Sequence, residues 1–191
     1  MAVSVIAILM AIIIPAVGGA QRSAKRAKTR VQFSQWSAAI EQFRQEYGYY
    51  PVFAANRVNP ESSAGLGSEH TFHDTLTARL RNGEPLPTTS TAPSAPHRQN
   101  PKRIAFCSFG SDELNANGLI QDAFGNIDIG VLMDRNLDST IDLQGTTDYD
   151  SAPGAMLTIG GLTIPAPQAN RIRAGVAFYS AGDGQTPVTS W

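Results

Sequence analysis

This chain of 191 residues contains only one cysteine and no sequence motif typical of an enzyme active site. Its single cysteine, Cys107, excludes an intrachain disulfide and a zinc site built on several cysteines. Cys107 lies in the apolar run RIAFCSFG, where a small buried residue is a better interpretation than a nucleophile. The sequence contains no nucleophile motif, no phosphate-binding loop and no recognisable metal triad. We therefore expect a protein that is not an enzyme.

Charged residues are absent from the start of the chain and unevenly spread over the rest of it. None occurs before Arg22. Residues 1–50 contain six Lys/Arg and two Glu, a net charge of +4, whereas residues 51–191 contain nine Lys/Arg and fourteen Asp/Glu, a net charge of −5. We call residues 1–48 the stem and residues 49–191 the head. A basic stem and an acidic head argue against nucleic acid as a partner.

The first twenty residues are almost entirely apolar, with Ser4 as the one polar side chain. Their number is close to the roughly 20 residues that cross a bilayer as a helix, so we expect a membrane-spanning helix. The residues expected to form the membrane-facing and filament-facing surface of this helix are Ile6, Leu9, Ile13, Pro15, Gly18 and Gly19. The alternative is a cleaved signal peptide, although no Lys or Arg precedes the apolar run and the run is long for a signal core.

A stripe of large apolar residues follows the basic turn of the stem. Its members are spaced 3, 4, 3 and 4 residues apart, which is typical of one face of a helix: Phe33, Trp36, Ile40, Phe43 and Tyr47. No Gly or Pro interrupts residues 20–47, and Gly48 and Pro51 provide a helix end. The pattern predicts one continuous helix whose apolar stripe packs against the head.

These elements together resemble a known family. The stretch AILMAIIIPAVGGAQRSAKRAKTR, the amphipathic helix and the segment Tyr47–Gly48–Tyr49–Tyr50–Pro51 resemble the type IV pilins and type II secretion pseudopilins. In the head, DAFGN at 122–126 resembles the Asp-Pro-Trp-Gly-Asn turn of major pseudopilins, and SAGDG at 180–184 resembles their Ser-x-Gly-x-Asp-Gly loop. From the position of Pro15, we expect Met1 to lie about two helical turns inside the family's mature start. The aromatic first residue, usually methylated, and the Glu that guides docking would then precede it.

The resemblance implies an α+β, pilin-like fold in which a long N-terminal helix packs on a small C-terminal antiparallel sheet. Residues 1–20 would be the transmembrane and filament-core half of that helix, and residues 21–48 its amphipathic half. Residues 49–191 would be a globular head, loop-rich with a short helix over 52–99 and a sheet over 100–191.

Individual segments of the head carry further predictions. SEHTFHDTLTARLRNGEP predicts a short helix from a Ser68 cap to Gly83, and residues 84–99 an exposed Pro/Ser/Thr-rich loop. A strand-like run begins at residue 103, a last strand includes Val176, and Trp191 is expected to anchor the end of the chain in the core.

The same resemblance implies a function and a location. The chain would be a structural subunit of a type II secretion pseudopilus or a type IV pilus-like filament that supports protein export. It would assemble by packing its N-terminal helices, with further copies of itself, other pseudopilins, the inner-membrane assembly platform and membrane lipid as partners. We expect a single-pass protein of the bacterial inner membrane with its head in the periplasm, and a filament in the periplasm or at the cell surface.

Two loops of the acidic head are candidate calcium sites. One has oxygen-bearing side chains that alternate as in calcium loops, at Asp134, Asn136, Asp138 and Asp142, but Gly145 stands where a bidentate Glu is expected. A hairpin turn built from turn-forming residues explains the same pattern without a metal. The other candidate, Asp183, comes from the resemblance of SAGDG to the calcium-holding loop of major pseudopilins.

A histidine pair offers a different candidate ligand set. His70 and His73 stand three residues apart with Asp74 beside them, a spacing that suits a metal, but a solvated helix start is the favoured interpretation. These residues and the Asp-rich loop support the alternative function, a secreted or membrane-tethered calcium-binding or enzymatic module with a cleaved signal peptide.

Overall fold

The computed structural model describes residues 2–60, 65–143, 148, 156–165 and 171–191, with the side chains of α1 described from Val17 onward. Helices and strands alternate with long irregular segments. The helices are α1 Ala2–Tyr47, α2 Thr71–Thr77 and α3 Pro96–Gln99, with a 3-10 turn at Ala54–Asn56. The strands are β1 Ile129–Met133, β2 Ile141–Asp142, β3 Met156–Ile159, β4 Leu162–Pro165, β5 Arg171–Ile172, β6 Val176–Ser180 and β7 Val188–Thr189.

The stem is one uninterrupted helix of 46 residues. At a rise of about 1.5 Å per residue it is about 69 Å long. It ends where Gly48 adopts a φ of +79°, which a residue with a Cβ rarely does, and the Gly48 N–H donates to the carbonyl of Arg44 at 2.7 Å. The predicted continuous helix is confirmed.

A small antiparallel sheet in the order β1-β6-β7 lies at the centre of the head. Ile129 pairs with Ser180 and Met133 with Val176, while Tyr179 pairs with Thr189. Every residue of β1 and β6 is buried, so both faces of the sheet are covered. The α+β architecture with a long N-terminal helix and a small antiparallel sheet is therefore confirmed.

Two apolar cores sit on opposite faces of this sheet. The first lies between the sheet and the stem, and its largest members include Phe33, Trp36, Ile40, Phe72 and Phe178. The second lies on the other face, under the β3–β4 hairpin and the β2–β5 pair, and includes Leu132, Leu157, Ile164, Ile172 and Tyr179. Alternation along β6 explains this division, because Phe178 faces one core and Tyr179 the other.

The stem and β6 run in opposite directions, which fixes the two ends of the head. Arg26 contacts Asp183, just after β6, whereas Glu41 lies against Gly175, just before it. Gly175 leaves room for the hydrogen bond from the Tyr50 hydroxyl to Glu41, since a Cβ there would be 2.1 Å from the carboxylate. We call the Arg26 end of the head its lower end and the Glu41 end its upper end.

Four segments of the head differ from expectation. The segment 84–99 is not an exposed loop throughout, because Leu86 and Ala95 are buried and Pro96–Gln99 form α3. The strand predicted from residue 103 is absent, because the N–H groups of Phe106 and Cys107 bond to the carbonyl of Leu76 at the end of α2, and the described strands begin at Ile129. The short helix exists, but His70 rather than Ser68 caps it and it ends at Ala78, in the left-handed conformation. Trp191 is 36% exposed and meets the Tyr179 ring edge-on, so it is not a core anchor.

Among the residues that the structure describes, no helix is long and apolar enough to cross a membrane. This finding contradicts the predicted single-pass location in the inner membrane with the head in the periplasm. The backbone of α1 is helical from Ala2, but the side chains of Ile6, Leu9, Ile13 and Pro15 lie outside the described residues. Gly18 and Gly19 are described and exposed.

Candidate assembly surface on the stem and its junction with the head

One face of the stem is buried against the head. Phe33, Trp36, Ile40 and Phe43 are at most 2% exposed, and Tyr47 is half-buried. The ring of Phe178 stacks on Phe33 at 5.5 Å and meets Trp36 edge-on at 5.6 Å. Phe33, Trp36 and Ile40 thus pack against the sheet, whereas the rings of Phe43 and Tyr47 pack against Tyr49 and Phe106 of the head.

The opposite face of the stem carries small apolar residues in the same rhythm. Its exposed residues recur every three or four positions, and we call them the stem stripe: Val17, Ala20, Ala24, Ala27, Val31, Ser34 and Ala38. Val31 and Phe33, like Ala38 and Ile40, are two residues apart, which is about 200° around the helix. Val17 is 46% exposed and Val31 56%. Sequence reasoning missed this stripe because small residues give a weak hydrophobic signal, although their 3,4 spacing is visible in the sequence.

A buried carboxylate organises the lower end of the head. Asp122 is 2% exposed, and its Oδ1 accepts the N–H groups of Phe124 and Asn126, both at 2.9 Å. Its Oδ2 accepts the Ser180 hydroxyl at 2.8 Å and the Asn126 side-chain amide at 2.9 Å. That amide also donates to the carbonyl of Gly182 at 2.7 Å. The structure therefore brings together the 122–126 and 180–184 segments, which are far apart in the sequence.

The joined segments are fastened to the stem through several polar contacts. Arg26 Nη2 lies 2.8 Å from Asp183 Oδ2, and the Ala123 N–H donates to Thr29 Oγ1 at 3.3 Å. Lys28 forms an ion pair with Asp112, in a loop beside them. These contacts fix the direction in which the stem leaves the head.

An open cleft of about 580 Å³ lies where the stem meets the lower end of the head. We call it the junction cleft. The ammonium of Lys25 lies 5.8 Å from the centre of the half-buried Phe124 ring, so one wall is basic and the other partly aromatic. Its lining consists of Gly18, Gln21, Arg22, Lys25, Phe124, Asn126, Gly182, Asp183 and Gly184.

Asp183 does not fit the calcium role that the resemblance implies. Its Oδ1 accepts the N–H groups of Thr186 at 2.8 Å and Gln185 at 3.2 Å, and its Oδ2 contacts Arg26. The Thr186 N–H, followed by the Gln185 N–H and Arg26, holds the pKa of this carboxyl below its usual range. A calcium ion at Oδ2 would meet the guanidinium already there.

The other calcium candidate is the segment 134–142, which we call the Asp134 loop. The Asp134 N–H donates to the Gly175 carbonyl, which places the loop at the upper end of the head. The five-residue β6 separates it from Asp183 by about 16 Å, so the two candidates are not one site.

Backbone donors already face the oxygens of the Asp134 loop. Asp134 accepts the N–H groups of Asp138 at 3.1 Å and Ser139 at 2.7 Å. Asp148 accepts those of Asn136 at 3.3 Å and Asp142 at 2.7 Å. Burial raises the pKa of Asp134, and the nearby Asp148 and Asp138 carboxylates add to the rise. Gly145 lies outside the described residues.

The described ranges contain no group of three or more His, Cys, Asp or Glu side chains arranged to hold a metal. Calcium in the Asp134 loop therefore stays a prediction. Cys107 is half-buried, and burial raises the pKa of its thiol to about 12, as expected for a packed residue rather than a nucleophile.

The histidine pair is not a solvated helix start, and that prediction is wrong. His70 and Asp74 are fully buried and His73 is 7% exposed. His70 Nε2 donates to Asn59 Oδ1 at 2.9 Å, and His70 Nδ1 accepts the His73 N–H at 3.1 Å. His73 Nδ1 lies 2.8 Å from Asp74 Oδ1. Each ring thus takes part in the protein's own hydrogen bonds, which joins α2 to the segment around Asn59.

Burial, with a smaller contribution from the nearby charge of Arg81, lowers the pKa of His70 to about 3. The ring is therefore neutral at pH 7, with its proton on Nε2. Both ring nitrogens are occupied, one as donor and one as acceptor, which is a structural arrangement rather than a metal site.

Comparison of the chain with protein-family models, with curated proteins and with solved structures gives no match.

Proposed function

We propose that this protein is a structural subunit of a filament of the type II secretion pseudopilus or type IV pilus kind, built by the packing of stems from neighbouring copies. The observation that carries the proposal is the stem stripe. It is a row of small, exposed, mostly apolar residues along a helix whose other face is covered by the head from Thr29 onward.

The size of the stripe residues suits contact between helices. Ala and Ser side chains let two helix axes approach to the short end of the usual 8–10 Å range, where backbone and side-chain atoms of both helices touch. Each apolar side chain covered there contributes about 25 cal/mol per Å² of surface removed from water. Val17 and Val31, the largest residues of the stripe, are close to half exposed in the single chain. Their burial would therefore contribute most to the free energy of association.

The junction supports the proposal because it couples each head to its stem. Arg26, Thr29 and Lys28 tie the stem to three segments of the head, so heads would follow the arrangement that their stems adopt. A head-to-tail contact between identical subunits that does not close on itself produces an open helical filament. The partners would be further copies of this chain, other pseudopilins and the assembly platform of a secretion system.

A pair of adjacent substitutions tests the role of the stripe. Ala24→Glu places a carboxylate within the stripe, and Ser23→Glu places the same group one residue earlier, about 100° around the helix. Both residues are exposed, and neither faces the first core. We expect the wild-type chain of 191 residues to form sedimentable filaments visible by electron microscopy. We expect Ala24→Glu to reduce the sedimented fraction at least tenfold and Ser23→Glu to change it less than twofold.

Equal loss of assembly in both variants would indicate a general effect of negative charge on the stem. Full assembly of Ala24→Glu would remove the stripe from the interface and the proposal with it. Circular dichroism of both variants should show the wild-type helix content, since Glu is a good helix former.

A further inference from the structure

We propose that the exposed tip of the Asp134 loop, residues 136–139, of one copy docks into the junction cleft of the next copy along the filament. The inference rests on the proposed function and names the contact between heads that accompanies stem packing. Its occupant is a second copy of this chain.

The tip is exposed, and hydrogen bonds within the loop fix its conformation. Asn136, Leu137, Asp138 and Ser139 are all exposed, and Leu137, the one large apolar side chain among them, is 49% exposed. Leu137 has a φ of +64° and Ser139 a φ of +68°, in the left-handed region. The Asp134 carboxylate holds this conformation by accepting the N–H groups of Asp138 and Ser139. The tip therefore presents Leu137 and Asp138 without further ordering.

The junction cleft offers the complementary chemistry. Arg22 and Lys25 supply two positive charges on its stem wall, and the half-buried Phe124 ring supplies apolar surface on its head wall. The one acidic residue of the lining, Asp183, is paired with Arg26 at 2.8 Å. Asp138 matches the basic wall and Leu137 matches Phe124. A volume of about 580 Å³ is sufficient for both side chains.

The two surfaces lie where a filament would bring them together. The loop that carries the tip begins at the upper end of the head, where Asp134 bonds to Gly175, and the cleft is at the lower end, where Asp183 lines it. The length of β6, about 16 Å, keeps the tip of a copy away from its own cleft. Displacing a second copy along the stem axis moves its lower end toward the upper end of the first. Such a heterologous contact repeats from copy to copy.

A charge exchange between the two surfaces tests the contact in the full-length chain. Asp138→Lys puts a positive charge on the tip, and Lys25→Glu puts a negative charge in the cleft. We expect each single variant to lower the sedimented fraction at least fivefold, because each places like charges together or removes an attraction. The double variant, with Lys at 138 and Glu at 25, should recover at least half of the wild-type fraction. Glu84→Lys, a matched reversal at an exposed acid of the Pro-rich loop, should have no effect.

Recovery in the double variant also guards against misfolding, since a loop damaged by Asp138→Lys would not be repaired by a change on the stem. Failure of the double variant to recover would overturn the docking contact. So would wild-type assembly in both single variants. If those singles assemble while Ala24→Glu does not, the filament proposal stands and the docking contact alone is lost. If the wild-type chain forms no filaments, both are lost.

Discussion

The two faces of the stem carry the same 3,4 rhythm but differ in the size of their residues. On the face toward the head, Phe33, Trp36 and Ile40 fill the first core and are at most 2% exposed. On the opposite face, Ala24, Ala27 and their neighbours are small and exposed. Large side chains fill the wide, irregular space between a helix and a sheet, whereas small ones permit close contact between two helices. The first face stabilises the fold, and in the proposed filament the second face would contact the stem of a neighbouring copy.

The largest expected effect is on the head face. Trp36→Ala should lower the free energy of unfolding by about 3–5 kcal/mol, because it leaves a cavity among the rings of Phe33, Phe72 and Phe178. Urea denaturation followed by circular dichroism measures this change. Val31→Ala, on the stripe, is the control and should change the free energy of unfolding by less than about 0.5 kcal/mol. Equal effects at the two sites would remove the distinction between the faces.

The next effect concerns the lower end of the head. Asp122→Ala should lower the free energy of unfolding by about 3 kcal/mol, because it removes four hydrogen bonds of a buried carboxylate and leaves two backbone N–H groups and the Ser180 hydroxyl without this acceptor. In Asp128→Ala, the lost side chain is 50% exposed and contacts Arg57 and the Gly160 N–H, both at 3.4 Å, so the substitution should cost less than about 1 kcal/mol. Thermal or urea unfolding of the two variants makes the comparison. A small loss at Asp122 would show that the junction does not depend on its carboxylate.

A smaller effect is expected from pH. The pKa of His70 is lowered from 6.5 to about 3 in the folded chain, so below pH 6.5 the unfolded chain binds a proton that the folded chain does not. The contribution of the neutral His70 ring to the free energy of unfolding is complete above pH 6.5 and is lost as the pH falls from 6.5 toward 3. The slope is about 1.4 kcal/mol per pH unit in this range.

His70→Gln should flatten that part of the stability profile, measured by urea unfolding between pH 4 and 7, while His97→Gln should leave the slope in place. The same slope in His70→Gln and the wild type would show that the ring is not buried in its neutral form. The stem stripe carries no titratable group, so Val31→Ala should follow the wild-type profile.

The parts of the fold that the sequence predicts well are those fixed by local pattern. The stem follows from the spacing of Phe33 to Tyr47 and from Gly48, because helix bonds link residues close in the chain. The run around Cys107 is apolar and strand-like. The N–H groups of Phe106 and Cys107 nevertheless donate to the carbonyl of Leu76, about thirty residues earlier, and this run does not form a strand. Strand pairing depends on such distant partners, which a short window does not contain.

The candidate site shows the same limit. The turn at 122–126 and the loop at 180–184 are recognisable one by one, but the hydrogen bond from Ser180 to Asp122 exists only once the chain has folded. His70 was expected to be solvated because its partner, Asn59, lies eleven residues away in an irregular segment. The spacing of the stem stripe is visible in the sequence because it is local. The pattern is weak, however, because alanine contributes little hydrophobicity.

The most direct test of the central claim measures folding and association on the same samples of Ala24→Glu. We expect this variant to have a free energy of unfolding within about 0.5 kcal/mol of the wild type, from urea denaturation, and at least a tenfold weaker self-association, from sedimentation velocity. Trp36→Ala should show the opposite result, with a larger loss in the free energy of unfolding than in self-association. Undiminished self-association of Ala24→Glu, or a loss that only accompanies unfolding, would contradict the claim that this face of the stem binds another copy.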